Sequence, residues 1–464
     1  MRASILVPAL LLGAAVALAP IEIVGNKFFD ENGRQWFMKG TPITRSSITR
    51  LPVTDAIAGI AYQLRPDDPL VDAEQCTRDA NLMKTLGTNA IRIYHVDSSA
   101  NHDGCMAAFD EAGIYTLIDL DTFDSYILPV SAVLDCSNTP YWNETQFNAY
   151  AKVMDNFEKY DNVLGFFIGN EIIALNNQSQ VAPFMKAAAR DMKAYRDKKG
   201  YRKIPVGYSA ADIAELRPML QDYLTCGGKP EDNIDFFGLN SYEWCDPNTY
   251  NTSGYTNLQA MAEQFPVPIF FTETGCVTGQ GPRTWDDQDA IFSQPMVDDW
   301  SGAMVYEWIY EENRYGIVSY GPEVSKTITA GDVYDGFTRK GTPIPRSPEF
   351  QNLQSKWATI TPTGVMKSDY NPTSVSTRDC PKATGGWLVD GNVRLPTLGE
   401  TFKGSFSSSP TASATPGSST SASAAPTESA ESSAPERPSG SGTKQIAGMA
   451  FGLVGVMIFF TVWM

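Results

Sequence analysis

Between residues 20 and 400, short apolar runs alternate with longer stretches whose apolar positions recur at helical spacing. Eight strand-like runs stand out: Gln35–Lys39, Ala90–Tyr94, Tyr115–Leu120, Val163–Asn170, Pro205–Tyr208, Phe236–Asn240, Ile269–Glu273 and Gly302–Tyr306. Ala73–Leu86, Gln146–Tyr160 and Ala182–Lys198 carry the helical pattern before the second, fourth and fifth runs. Strand–helix alternation predicts parallel strands with helices outside them. Eight such units in one chain predict the α/β class and a (β/α)8 TIM barrel.

The pattern stops at both ends. Residues 1–19 read as a signal peptide: Arg2 supplies the positive start, residues 4–18 are mostly apolar, and Ala15-Val16-Ala17 or Ala17-Leu18-Ala19 offers a cleavage site. The run is too short for a spanning helix and no stop-transfer pattern follows it. Residues 401–441 are dominated by Ser, Thr, Ala, Pro and Gly. Such a composition cannot bury a core and predicts a disordered, O-glycosylated stalk. In residues 442–464 an apolar stretch, Ile446–Met464, follows a short polar spacer and the small residues Ser439-Gly440-Ser441-Gly442. That order matches a GPI-anchor propeptide; the alternative, a transmembrane anchor, lacks its basic tail here. The expected location is the extracellular face of the plasma membrane and the cell wall.

Asn143, Asn177 and Asn251 each open an N-glycosylation triplet. The seven cysteines form no CxxC pair and there are only two histidines, so no metal and no cofactor is expected. In an oxidising compartment disulfides are the better reading, and an odd count leaves one thiol over. The net charge of −17 argues against nucleic acid and fits a neutral substrate.

Barrel enzymes place catalytic groups at the C-terminal ends of strands. Two glutamates stand there: Glu171 after Phe166-Phe167-Ile168-Gly169-Asn170, and Glu273 after Phe270-Phe271-Thr272. Glycoside cleavage with retention needs such a pair, one carboxyl protonated for the leaving oxygen and one ionised to attack the anomeric carbon. Burial and mutual repulsion raise the pKa of one partner, which suits the acid. Asn170 is placed to hydrogen-bond the sugar 2-hydroxyl. The competing explanation for either glutamate alone is a strand-end salt bridge.

Longer matches narrow this. Ile23-Val24-Gly25-Asn26-Lys27-Phe28-Phe29, Asp68-Pro69-Leu70, Asn89-Ala90-Ile91-Arg92-Ile93-Tyr94 and Val305-Tyr306-Glu307-Trp308 resemble fungal β-1,3-glucanosyltransferases, glycoside hydrolase family 72. The resemblance covers residues 20 to about 380. It implies Glu171 as acid/base and Glu273 as nucleophile. Gln63, Tyr94, Asp119, Asn170, Asp212, Arg217, Tyr242, Tyr306 and Trp308 would line the glucan cleft, with core packing the competing role for Tyr306 and Trp308. It also implies disulfides Cys76–Cys105, Cys245–Cys276 and Cys226–Cys380, with Cys136 free. The implied partners are a β-1,3-glucan donor and acceptor. The outcome would be elongation of cell-wall glucan, with an endo-β-1,3-glucanase or a silent glucan-binding wall protein as alternatives. Only Cys380 lies beyond Cys276, so the cysteine-rich carbohydrate-binding module of some members is expected to be absent.

The resemblance is interrupted once. The family runs from Lys-Gly through a short apolar residue into Ala-Tyr-Gln, whereas here Thr41–Gly59 separates Lys39-Gly40 from Ile60-Ala61-Tyr62-Gln63. These 19 residues would fall inside the first barrel strand. One reading is a translated intron, since Gly40-Thr41 permits GGTAC, Thr54-Asp55 permits ACTGAC and Ala58-Gly59 permits GCAGG. The other is a surface loop of this paralogue.

Overall fold

The computed structural model describes residues 18–38, 58–64, 67–128, 141–227, 229–375 and 377–401. Residues 1–17 of the expected signal peptide, most of the Thr41–Gly59 segment, Cys136, residues 402–441 of the stalk and the GPI propeptide lie outside the described residues. The chain's contacts separate Met1–Ser409 from Pro410–Met464. Among the described residues no helix is long and apolar enough to cross a membrane.

Three short strands come first: β1 (Glu22–Val24), β2 (Lys27–Phe29) and β3 (Gln35–Trp36), an antiparallel sheet in that order. The barrel follows: β4 (Ala58–Ala61), β5 (Thr88–Ile93), β6 (Tyr115–Asp119), β7 (Val163–Asn170), β8 (Val206–Ala211), β9 (Phe237–Asn240), β10 (Ile269–Thr274) and β11 (Trp300–Val305). Each pairs in parallel with its neighbour, and β11 closes on β4. The eight-stranded barrel is thus as expected. Around it run α1 (Ala73–Leu86), α2 (Asp103–Ala112), α3 (Glu144–Phe157), α4 (Ala182–Lys199), α5 (Arg217–Thr225), α6 (Tyr255–Ala262), α7 (Asp286–Ile291) and α8 (Glu349–Thr359).

Helix limits follow from local chemistry. The Asp72 side chain accepts the Gln75 N–H at 2.9 Å and starts α1, and Gly87, at φ 87°, ends it. Asn143 and Gln146 cap α3 reciprocally. Pro183 in the first turn of α4 and Gly200 after it set that helix. Cys76–Cys105 ties α1 to α2, Cys245–Cys276 ties the segments after β9 and β10, and Cys226–Cys380 fastens the C-terminal extension behind α5.

One strand assignment is corrected. Gln35–Lys39 is not the first barrel strand; Gln35 and Trp36 belong to the small sheet, and the barrel position is held by β4. The reason is visible in the register. Met38 still bridges Gly302 of β11, while Gly59 and Ile60 face Met304 and Val305. Extended from Met38, position 40 would face Met304, the place Gly59 occupies; the difference, 59 − 40 = 19, equals the length of Thr41–Gly59. Two pieces of chain thus follow each other along β11, Met38 beside Gly302 and then Gly59 beside Met304. A Cβ on Gly59 would meet Met304 Cγ at 2.5 Å, so any larger residue there would have to displace the Met304 side chain, and residue 40 is also glycine.

The small sheet closes the N-terminal end of the barrel. Phe28, Trp36 and Met38 pack with Leu117, Leu164, Phe167, Phe236, Phe270 and Met304 in a buried apolar cluster. The opposite end, where the strands finish in polar residues, is left for chemistry.

Candidate active site

Glu171 follows β7 directly. Its φ of 50° lies in the left-handed region, which costs a non-glycine residue about 1–2 kcal/mol. Its N–H is held by the Ser209 carbonyl of β8 at 2.9 Å, so the neighbouring strand fixes the turn. Backbone strain of this kind concentrates at functional positions. The side chain opens onto the cleft and reaches water, yet protein surrounds the cleft floor closely enough to desolvate the carboxyl. That desolvation, with the charge of Glu273 second, raises the Glu171 pKa to about 7, against an opposing hydrogen bond from Asn240 and the charge of Arg92.

Glu273, on β10, is only 7% exposed. Tyr94 donates to its Oε1 at 2.7 Å and Tyr242 to its Oε2 at 2.6 Å. Arg92 stands 3.6 Å from Oε1. Three donors or positive groups on one carboxylate favour its ionised form and hold both oxygens in place. The two glutamates thus sit in opposed environments, which is how acid and base roles separate.

Arg92 organises the floor of this end. It is fully buried, pairs with Asp119 through Nε at 3.1 Å and Nη2 at 2.8 Å, and donates to Ser209 Oγ and Asn170 Oδ1 at 3.0 Å each. Its guanidinium lies over the Tyr94 and Phe167 rings. Although burial opposes the charge, Asp119 and the surrounding groups raise its pKa above the ordinary value, so it stays a cation. Burial pushes Asp119 up to about 6 against the pull of Arg92. Asn240 at the end of β9 donates to Asn170 Oδ1 at 3.0 Å and to Glu171 Oε1 at 2.8 Å. Its own carbonyl accepts from Ser209 and Thr272, which orients the amide.

The structure brings Tyr94, Asp119, Asn170, Tyr242, Gln63 and Tyr306 to this one centre. The Tyr306 ring meets Tyr94 and Tyr242 edge-on at 6.4 Å, and Gln63 Nε2 donates to the Tyr306 hydroxyl at 2.6 Å. Asp212 and Arg217 pair with each other past the end of β8, and Asp212 accepts from Ser241 at 2.6 Å. Burial lowers Arg217 to about 10, against the charge of Glu243. Trp308 does not join them and is corrected from cleft wall to core. It is 0% exposed, and its indole N–H donates to Tyr320, which donates in turn to buried Asp79. Its sequence neighbours Tyr306 and Glu307 point to the site, and the next side chain along faces away from it.

The sequence reading missed Arg92, Ser209, Asn240 and Glu307. A polar residue ending an apolar run was the available signal for Asn240; Arg92 lay inside a quoted motif, and an arginine within a buried strand needs a partner. Of the glycosylation triplets, Asn143 caps α3, Ser179 of the Asn177 triplet is buried, and Asn251 is exposed in a turn. Among the described residues there is no group of three or more His, Cys, Asp or Glu side chains able to hold a metal.

A closed barrel with an acid-poised glutamate after its fourth strand and a firmly held carboxylate on its seventh has the parts that retaining glycoside chemistry uses. The family model described as Glucanosyltransferase matches residues 11–336, and the chain belongs to that family. Protein EPD1 of Candida maltosa is 37% identical over 386 residues, covering 82% of this chain and 62% of its own. The 1,3-beta-glucanosyltransferase gas1 of Schizosaccharomyces pombe is 34% identical over 386 residues, covering 81% and 62%. A mutant Gas2p of Saccharomyces cerevisiae, solved with laminaritetraose and laminaripentaose, is similar in structure. It has a TM-score of 0.66 and 34% identity, over 82% of this chain and 75% of that one. The chain spans about three fifths of the length of these curated relatives.

Proposed function

We propose that this protein is a retaining β-1,3-glucanosyltransferase. The observation that carries the reading is the contrast between the two glutamates: Glu273 clamped by Tyr94, Tyr242 and Arg92, and Glu171 raised to about 7. Glu273 attacks the anomeric carbon of an internal glucosyl unit. The glycosidic bond breaks, and Glu171 gives its proton to the departing oxygen. The covalent glycosyl ester then meets a glucan hydroxyl; Glu171 takes the hydroxyl proton, the new bond forms, and Glu273 leaves as carboxylate with configuration retained. Asn170, fixed by Arg92 and Asn240, is placed for the sugar 2-hydroxyl. Tyr94, Tyr242 and Tyr306 form the aromatic wall. Asp212 and Arg217 belong to the outer cleft.

The proposal extends to the setting. The apolar N-terminal run, the Ser/Thr-rich stretch and the apolar tail support secretion and a GPI anchor at the outer face of the plasma membrane, with Asn251 the best placed N-glycan acceptor. We also propose that Thr41–Gly59 is a translated intron, supported by the matching register offset; transcripts that all retain these codons would exclude it.

The test is product analysis with a reduced linear laminari-oligosaccharide. Products longer than the substrate, lost in both Glu171→Gln and Glu273→Gln, are expected. Shorter products alone would make the protein a hydrolase. Binding without turnover would make it a silent wall protein.

A further inference from the structure

Glu307 is fully buried immediately behind the aromatic wall, and nothing in the double displacement uses it. Gln63 Nε2 donates to its Oε2 at 2.6 Å, and Asn313 Nδ2 donates to its Oε1 at 2.6 Å. The same two amides also reach the Tyr306 hydroxyl, Gln63 at 2.6 Å and Asn313 at 3.3 Å. Asn313 is itself anchored, because its carbonyl accepts the Tyr315 N–H at 3.0 Å. Behind it Glu311 pairs with Arg339 at 3.0 Å.

A glutamine amide has two N–H donors and one carbonyl acceptor. On Gln63 both donors are engaged, one by Glu307 and one by Tyr306. Among the described residues nothing donates to its carbonyl oxygen, and the side chain retains 9% exposure beside the cleft. Burial, with the charge of Glu311 next, holds the Glu307 carboxyl well above the ordinary carboxylate range, and in this orientation each of its oxygens accepts an amide N–H, Oε2 from Gln63 and Oε1 from Asn313. We propose that Glu307 is a positioning residue that locks the Gln63 amide with its carbonyl oxygen towards the cleft, as an acceptor for a sugar hydroxyl of the bound glucan. The Tyr306 hydroxyl receives an N–H from Gln63, so its own proton is directed away from that amide. That fixes the ring against which Tyr94 and Tyr242, the two donors to Glu273, are packed.

This inference rests on the glucan reading above, and the experiment separates the two. Glu307→Gln keeps the volume but adds an N–H facing another N–H. Glu307→Met removes both acceptors without leaving a buried charge. Each is assayed for laminari-oligosaccharide transfer alone and combined with Gln63→Ala, alongside thermal unfolding. Loss of one such hydrogen bond is expected to lower kcat/KM about 10- to 100-fold. In the Gln63→Ala background the Glu307 changes should add less than about threefold, because residues acting through one contact are not additive. Losses that multiply would show that Glu307 does not act through Gln63 and would overturn the proposal. So would full activity of the single variants, or failure of both to fold. A wild-type protein that neither binds nor extends the oligosaccharide would instead remove the glucan reading itself.

Discussion

The two ends of the barrel are built from the same eight strands and obey opposite rules. The N-terminal end is filled by Phe28, Trp36, Phe167, Phe236 and Phe270, with edge-to-face and tilted ring contacts at 5.1–6.4 Å. It needs no water, no charge and no particular hydrogen bond. The C-terminal end holds Arg92, Asp119, Asn170, Asn240, Glu171 and Glu273 in one network, with a strained backbone at Glu171. One end supplies stability through area removed from water; the other holds charges that are costly to bury and are tolerated because each is partnered.

That contrast can be broken most sharply at the glutamates. Glu273→Gln and Glu171→Gln should each lower transfer about 100- to 10,000-fold while leaving the unfolding temperature near that of the wild type. A variant that lost activity by unfolding, as seen in a melting curve, would contradict the division. The reciprocal change is Phe270→Ala on the floor. It should destabilise the fold by about 3–5 kcal/mol in denaturant titration, while the folded fraction keeps its kcat/KM.

Arg92→Leu crosses the boundary, since it removes the cation but leaves Asp119 buried. Breaking a buried pair in this way costs about 3–5 kcal/mol, and here activity should fall too because Asn170 and Glu273 lose their common neighbour. Removing Thr41–Gly59 joins two pieces of chain that already share one register along β11. Closing that loop costs about 2–3 kcal/mol, so the shortened protein should melt higher and keep its activity. A lower melting temperature would mean the segment contributes to the fold.

The smallest expected effect is in pH. The acid must be protonated, and Glu171 is raised to about 7, so kcat/KM should be level just below that value, down to the pH at which the Glu273 nucleophile itself takes a proton. Above about 7 it should fall about tenfold per pH unit. Glu171→Gln should abolish this alkaline limb along with the rate. A limb that survived in the residual activity would assign it to another group.

Much of this was legible in the chain. Ala73–Leu86, read from its helical spacing, coincides with α1, which the structure shows capped by Asp72 and ended by Gly87. Seven of the eight barrel strands were found from their apolar runs, and so were Glu171, just after β7, and Glu273, near the end of β10. The first strand was misplaced because Gln35–Lys39 is as apolar as a barrel strand should be. Its residues Gln35 to Met38 are buried, but Gln35 and Trp36 pair within the floor sheet.

The local pattern of residues determined the alternation of strands and helices, and the position of a carboxyl at two strand ends, because periodicity and capping act over a few residues. It did not determine which polar groups meet. Tyr94 reaches Glu273 across 179 residues, Gln63 reaches Glu307 across 244, and Arg92 reaches Ser209 across 117. Those contacts exist only once the barrel has closed and brought the ends of β4, β5, β8, β10 and β11 to one rim. Closure also decided that Trp308, one residue beyond Glu307, faces the core. Side chains alternate along a strand, but Tyr306, Glu307 and Trp308 lie beyond the end of β11, where only the packed neighbours set which of them faces the site.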